Sequence, residues 1–312
     1  MPGALACGGL TSPSNPSDTS PTAAPTPDPL FPYTIDGLRA RAYPGGPIEI
    51  IQVVEQPPAF TRYLIAYASD GLRITGLMNV PAGEEPFPVV ILNHPYYDQR
   101  LYVTGLGTRE AADYFAQRGY LTLAPDYRLY GGSDPGPDPF RTGMTVDVLN
   151  LIASVKSLPQ ARADSIGLWG HSMGGGIVLT ALTVNPPSLR AAVLYSAMSG
   201  DAEDNYRLIA ASRGPEPLGP DWPFSPEENP ATYARMSPLN YLAHIGAPVL
   251  IHQGQNDPTV PPAWSLRLAQ ALTDAGKDVA YYAYPNASHF FVGADWMLAM
   301  QRNVEFFDRR LK

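Results

Sequence analysis

Cysteine is almost absent from this chain of 312 residues. Only Cys7 is present, so no intrachain disulfide and no cysteine-based metal site can form. Charge is also scarce, at 16% of residues, and Lys and Arg never gather into a block. With 21 basic side chains against 29 acidic ones the formal net charge is −8, which argues against nucleic acid and anionic membrane surfaces as partners. No apolar run reaches the ~18 residues that a membrane span requires. Histidine is limited to five residues, few enough for a catalytic base to be sought by elimination. What the chain does have is a 45% hydrophobic content, enough for a sizeable core, and 35 prolines, about twice the usual ~5% share.

Part of that proline lies near the start. Residues 11–32 hold seven prolines and eight Ser/Thr with hardly a bulky apolar side chain, a composition that cannot offset ordering entropy, so a disordered linker is expected there. Before it stands Ala4-Leu5-Ala6-Cys7-Gly8-Gly9, which resembles a bacterial lipoprotein cleavage site: small residues, then a cysteine to be lipidated, then a tether. The expectation is an extracytoplasmic protein with a membrane tether through Cys7, and a folded domain over residues 33–312.

Residues 48–80 read as a strand-rich lead-in, with Asp70-Gly71 as a hairpin turn between apolar, β-branched and aromatic runs. Beyond residue 86 the pattern alternates. Short apolar runs at 89–92, 121–124, 166–169, 191–195, 249–252 and 279–283 have the look of strands covered on both faces. Amphipathic helices are expected around 110–118, 148–158, 264–275 and 297–311. The fold class is therefore α/β, with a mostly parallel central sheet and helices on both faces. Residues 199–240 break the rhythm: no strand is evident, and six prolines crowd 215–230 around Trp222 and Phe224. This segment is expected to be an inserted, lid-like loop over the mouth of a site.

The chemistry centres on Gly170-His171-Ser172-Met173-Gly174, set between the strand run ending at Trp169 and a helical run at 177–184. A serine at such a sharp turn projects its hydroxyl out of the sheet beside a helix N-terminus, which favours developing negative charge. The hydroxyl needs a base, and the base an orienting group. His289 lies in the loop after the last strand, and Asp257 in the loop after the run at 249–253; both are carboxyl ends of strands, where catalytic groups gather in open α/β sheets. Asp274, Asp278 and Asp295 read as solvated surface charge. The order Ser172, Asp257, His289 is that of α/β hydrolases. For the oxyanion hole, one donor is expected from the backbone N–H of Met173. The other comes from the loop Asn93-His94-Pro95-Tyr96-Tyr97, where Pro95 has no N–H and Tyr96 is the candidate. Tyr96, Tyr97, Tyr127 and Tyr130 are candidates for an aromatic pocket or for ordinary core.

From about residue 60 onward the chain resembles the catalytic domain of the prolyl oligopeptidase family and its esterase relatives. The carriers are Ser69-Asp70-Gly71, Pro125-Asp126-Tyr127-Arg128, Gly170-His171-Ser172-Met173-Gly174-Gly175, Ser237-Pro238-Leu239, and Pro248 to Gly254 followed by Asp257. The resemblance implies an α/β-hydrolase fold and a Ser172/Asp257/His289 triad working without metal or cofactor. Two departures are visible: the family's His-Gly-Gly-type oxyanion loop reads His94-Pro95-Tyr96, and no propeller is expected in the residues before the match. The expected activity is cleavage of carboxylic esters through an acyl-enzyme, with a serine peptidase of acylaminoacyl or dipeptidyl type as the alternative. A catalytically inactive binding module on the same fold is the reading from outside the enzymes.

Overall fold

The computed structural model describes residues 1, 3, 4, 9, 28–214 and 218–312. Cys7 and the stretch 10–27 lie outside the described residues, and with them the expected lipoprotein tether and most of the expected linker.

Among the described residues nine strands form one sheet, in the order β1-β2-β3-β5-β4-β6-β7-β8-β9. They are β1 Glu49–Glu55, β2 Phe60–Ser69, β3 Leu72–Pro81, β4 Phe87–Asn93, β5 Leu121–Pro125, β6 Ala161–His171, β7 Leu189–Tyr195, β8 Val249–Gly254 and β9 Val279–Tyr284. The helices are α1 Ile35–Ala40, α2 Arg109–Ala116, α3 Thr142–Ser154, α4 Met173–Val184, α5 Ala202–Arg213, α6 Pro230–Met236, α7 Pro262–Asp274 and α8 Gly293–Leu311. β1, β2, β3 and β5 pair antiparallel, with Asp70 and Gly71 at positive φ in the β2–β3 turn; every other pair is parallel.

The apolar runs are continuous because their side chains feed two cores in alternation. In β4, Val89 and Ile91 point into one core while Val90 and Leu92 point into the other. The first core also holds Val148 and Leu151 of α3, Ile177 of α4 and Leu268 of α7. The second holds Phe115 of α2 and Met300 and Phe307 of α8. Coverage fails at the margins. β9, expected to be buried on both faces, is an edge strand and only partly covered. β1 is the opposite edge; its Ile50 and Val53 are exposed, and two register irregularities interrupt its pairing, which blunts an edge that could otherwise add strands.

Two expectations change. Residues 199–240 carry no strand among the described residues, and 218–229 is irregular as expected, but helices flank that stretch: Asp201 accepts from Glu203 N–H to cap α5, and Asn229 accepts from Thr232 N–H to cap α6, with Pro230 at its first position. Pro230, read as part of a loop-forming cluster, thus serves as a helix starter. The packed chain also begins earlier than residue 33. Phe31–Tyr33 is a 3-10 turn, and Asp28 pairs with Arg235 of α6 at 2.6 Å.

The chain passes from β4 outward to β5, then back across β4 to β6. The loops after β4 and β6 therefore leave adjacent strands on either side of a reversal in strand order. In open α/β sheets the crevice at such a point, at the carboxyl ends of the strands, is where ligands bind.

Candidate active site

Ser172 sits between β6 and α4 with φ 56° and ψ −116°, a strained conformation for a non-glycine residue. Three backbone hydrogen bonds hold it there. Its N–H donates to Tyr195 O at 2.9 Å, and its carbonyl accepts from Gly176 N–H and Met198 N–H. The turn can be this sharp only because its glycines lack side chains. A Cβ on Gly170 would strike the Gly174 carbonyl, and one on Gly174 would strike the Asn93 carbonyl after β4.

That second contact joins α4 to the loop of the expected oxyanion hole. Met173 opens α4, where first-turn amides have no helical partner. Among the described residues the Tyr96 N–H donates to no acceptor. His94 is fully buried beneath the loop, its ring stacked on Tyr127 at 4.4 Å, with Nδ1 facing Pro95 O at 2.7 Å and Nε2 facing Asp126 O at 3.0 Å. Burial lowers its pKa to about 4, while the two carbonyls, which can only accept from its ring nitrogens, act in the opposite direction.

His289 and Asp257 come together as expected: His289 Nδ1 lies 2.8 Å from Asp257 Oδ2. The other carboxylate oxygen accepts from the amides of Thr259 and Val260, both at 2.8 Å. Burial alone would push this carboxyl up. The hydrogen bonds from His289 and the two amides outweigh it and hold Asp257 below its ordinary value. His289 is tied to the serine turn through His171, whose Nε2 lies 3.0 Å from the His289 carbonyl and whose ring centre is 4.8 Å from that of His289. A carbonyl only accepts, so Nε2 of His171 carries the proton. Burial brings the His171 pKa down to about 3, keeping the ring neutral.

The remaining histidines have other duties. His252 is buried between the Tyr284 hydroxyl and the Asn303 amide oxygen, each at 2.8 Å, and His244 stacks on Tyr241 in a 3-10 turn. Of the rival carboxylates, Asp274 accepts from Gln270 and Asp278 pairs with Arg310, both at the surface.

Sequence reasoning missed three contributors. Gln253 donates to Asp257 Oδ2 at 3.2 Å and is itself held by Ser265; His171 braces the His289 loop; and Arg141 reaches the Met173 side chain. Only the place of Gln253 at the end of an apolar run offered a signal. The tyrosines divide. Tyr127 and Tyr130 are buried around His94, whereas Tyr96 is 52% exposed at the mouth. Beside Met173 lies a small cavity of about 70 Å³, walled by Tyr33, Ile177, Met198, Ile209, Trp222 and Met236.

The model of the prolyl oligopeptidase family matches residues 107–312. An uncharacterized peptidase of Bacillus subtilis, YtmA, is 27% identical over 243 residues, covering 73% of this chain and 86% of YtmA. Among solved structures, acetyl xylan esterase 1 from Thermoanaerobacterium superposes with a TM-score of 0.65 at 19% identity, covering 89% of this chain and 94% of the esterase. The acylaminoacyl peptidase of Pyrococcus horikoshii gives 0.65 at 23% identity, covering 82% of this chain but only 43% of the peptidase. At such identities the two structures establish the α/β-hydrolase fold, and the family match establishes the rest: the chain belongs to the prolyl oligopeptidase family and is a serine hydrolase.

Proposed function

We propose that the protein is a carboxylesterase for short acyl esters, with Ser172 as nucleophile, His289 as base and Asp257 as its orienter. Ser172 Oγ adds to the ester carbonyl while its proton passes to His289. The oxyanion is met by the N–H groups of Met173 and Tyr96, each such donor contributing roughly 2.7–4 kcal/mol to lowering the barrier. The tetrahedral intermediate collapses, and the alcohol leaves with the proton from His289. Water then repeats the sequence on the acyl-enzyme, releasing the acid and restoring Ser172.

The cavity beside Met173 carries the preference for small esters. Its volume of about 70 Å³ and its apolar walls suit a short acyl chain. Its outer wall comes from α5, α6 and Trp222, so the helical insertion acts as the lid that sets chain length. A peptidase reading is favoured by one observation, the match to a family and to relatives described as peptidases. The two readings separate on leaving group, because an amide requires a protonated amine and closer positioning of the substrate. We expect kcat/KM for p-nitrophenyl acetate and butyrate to exceed that for matched aminoacyl anilides by several orders of magnitude, and Ser172→Ala to lose both turnover and fluorophosphonate labelling. Comparable rates on anilides would establish the peptidase.

A further inference from the structure

The other half-buried or buried arginines of this protein all reach an oxygen acceptor. Arg128 meets Asp147, Arg62 meets Glu55 and Asp113, Arg41 meets Asp70 and Arg235 meets Asp28. Arg118, Arg162 and Arg302, which pair with no acid among the described residues, donate to the Tyr114 carbonyl, the Leu311 carbonyl and the Tyr284 hydroxyl. Arg141 is different. Among the described residues no carboxylate forms an ion pair with it; its Nη1 lies 2.6 Å from the Met173 thioether, and its guanidinium carbon 5.4 Å from the centre of the Tyr96 ring. A thioether is a weak acceptor and a ring face accepts no fork of N–H donors, so most of the guanidinium's hydrogen-bonding capacity is unused. The two residues it touches are those proposed as the oxyanion-hole donors.

The backbone is built to hold it there. Phe140 (φ 53°, ψ 24°) and Arg141 (φ 62°, ψ 18°) are consecutive residues in the left-handed region, a conformation that non-glycine residues adopt only when their surroundings impose it. The Phe140 N–H donates to Asp221 O at 2.7 Å, and the Arg141 N–H to Asp138 O at 3.1 Å. The Phe140 ring is wedged between Trp222, Phe224 and Tyr233, at 5.4–5.7 Å between ring centres. One side chain of the turn is thus an anchor in the inserted segment, and the next is presented to the site. Two carboxyls, Asp138 and Asp221, are near enough to feel the Arg141 charge, yet burial pushes both above their ordinary values, Asp138 to about 7.

Arg141 lines both the apolar cavity and an adjoining polar one of about 260 Å³, whose wall also holds Arg213, the Arg100–Asp98 pair, Asp138 and Asp221. Neither cavity includes any residue of the His289 loop. Since the leaving group takes its proton from His289, the side that Arg141 serves is the acyl side.

We propose that Arg141 binds a carboxylate at the end of the substrate's acyl chain, so that the preferred substrates are half-esters of short dicarboxylic acids. The inference rests on the esterase reading and deepens it: a planar fork of donors beside the oxyanion hole suits a carboxylate taken bidentately.

The test compares monoethyl glutarate with ethyl valerate, which match in acyl length and differ in charge. In the wild type kcat/KM is expected to favour the half-ester. Arg141→Gln should lower the ratio of the two at least tenfold, chiefly through KM for the half-ester, and Arg141→Lys should restore part of it. A ratio unchanged in Arg141→Gln, with both rates lowered alike, would mean a structural or general electrostatic role and overturn the proposal. A second arm is independent of turnover. Calorimetric binding of monoethyl glutarate to Ser172→Ala should weaken at least tenfold when Arg141→Gln is added, and equal binding overturns the proposal. Loss of turnover of both esters with this binding difference intact would instead count against the esterase reading while supporting Arg141 as the carboxylate site.

Discussion

Asp257 shows how much of the site depends on hydrogen bonds to one carboxylate. Its two oxygens accept from His289, Gln253 and two backbone amides, so neither is left without a donor. Asp257→Asn should reverse the donor–acceptor sense at His289 Nδ1 and stabilise the wrong tautomer, with kcat falling by about 10⁴-fold. Steady-state kinetics with a circular-dichroism control checks this; a similar loss in Asp274→Asn would reassign the orienter. Asp138 is a residue of the opposite kind, an acid whose pKa burial raises to about 7. Unfolded, it ionises near 3.9, so between about pH 4 and 7 the unfolded state sheds a proton that the folded state keeps. Its contribution to stability therefore falls as pH rises through that window, by about 1.4 kcal/mol per unit of difference. Asp138→Asn should flatten that decline, so the melting temperatures of variant and wild type should diverge toward pH 8 and converge near pH 4. Parallel curves would show that Asp138 does not titrate in this range.

At the level of elements, the helices are positioned by buried polar links as much as by apolar faces. Arg128, just after β5, reaches Asp147 of α3 through Nε at 3.1 Å and Nη2 at 2.8 Å, and its backbone N–H donates to the same carboxylate at 2.9 Å. Ser69 at the end of β2 donates to Oδ1, the oxygen that Nη2 also reaches, at 2.7 Å. This pins α3 to the end of β2 and to the segment after β5. Removing one partner strands the other charge in the interior, so Arg128→Met should cost about 3–5 kcal/mol of unfolding free energy by urea titration. A loss below about 1 kcal/mol would mean that water reaches Asp147. The apolar pattern indicated an amphipathic helix at 148–158, whereas α3 spans Thr142–Ser154 and is buried at nearly every position; such a pattern is also blind to the ion pair. Arg128 and Asp147 are far enough apart in sequence that only the fold makes them neighbours.

Across the whole molecule, the N-terminal segment and the insertion after β7 meet over the same cavity. Tyr33 and Leu38 from one side and α5, α6 and Trp222 from the other enclose the space beside Met173, and Arg39 donates to the Thr183 carbonyl at the end of α4. Leu38 is fully buried, and Leu→Ala at such a position costs about 2–5 kcal/mol. Deleting residues 1–40 should therefore lower the melting temperature and the kcat/KM for short esters together; unchanged values for both would show that the cavity forms without this segment. The sequence by itself determined the fold class, the succession of strands from residue 87 onward with the helices α2, α3, α4, α7 and α8 between them, and the three residues proposed as the triad, Ser172, Asp257 and His289. Each of these is written locally, as continuous apolar runs where a strand is covered on both faces, or as a chemically distinctive side chain just past a strand's end. The order of the strands, the helical nature of residues 202–213 and 230–236, the support of His289 by His171, and the place of Arg141 against Met173 were decided only by the tertiary structure. These depend on which distant segments share a volume: a left-handed turn at Phe140 and Arg141 persists because the aromatic cluster around it holds it.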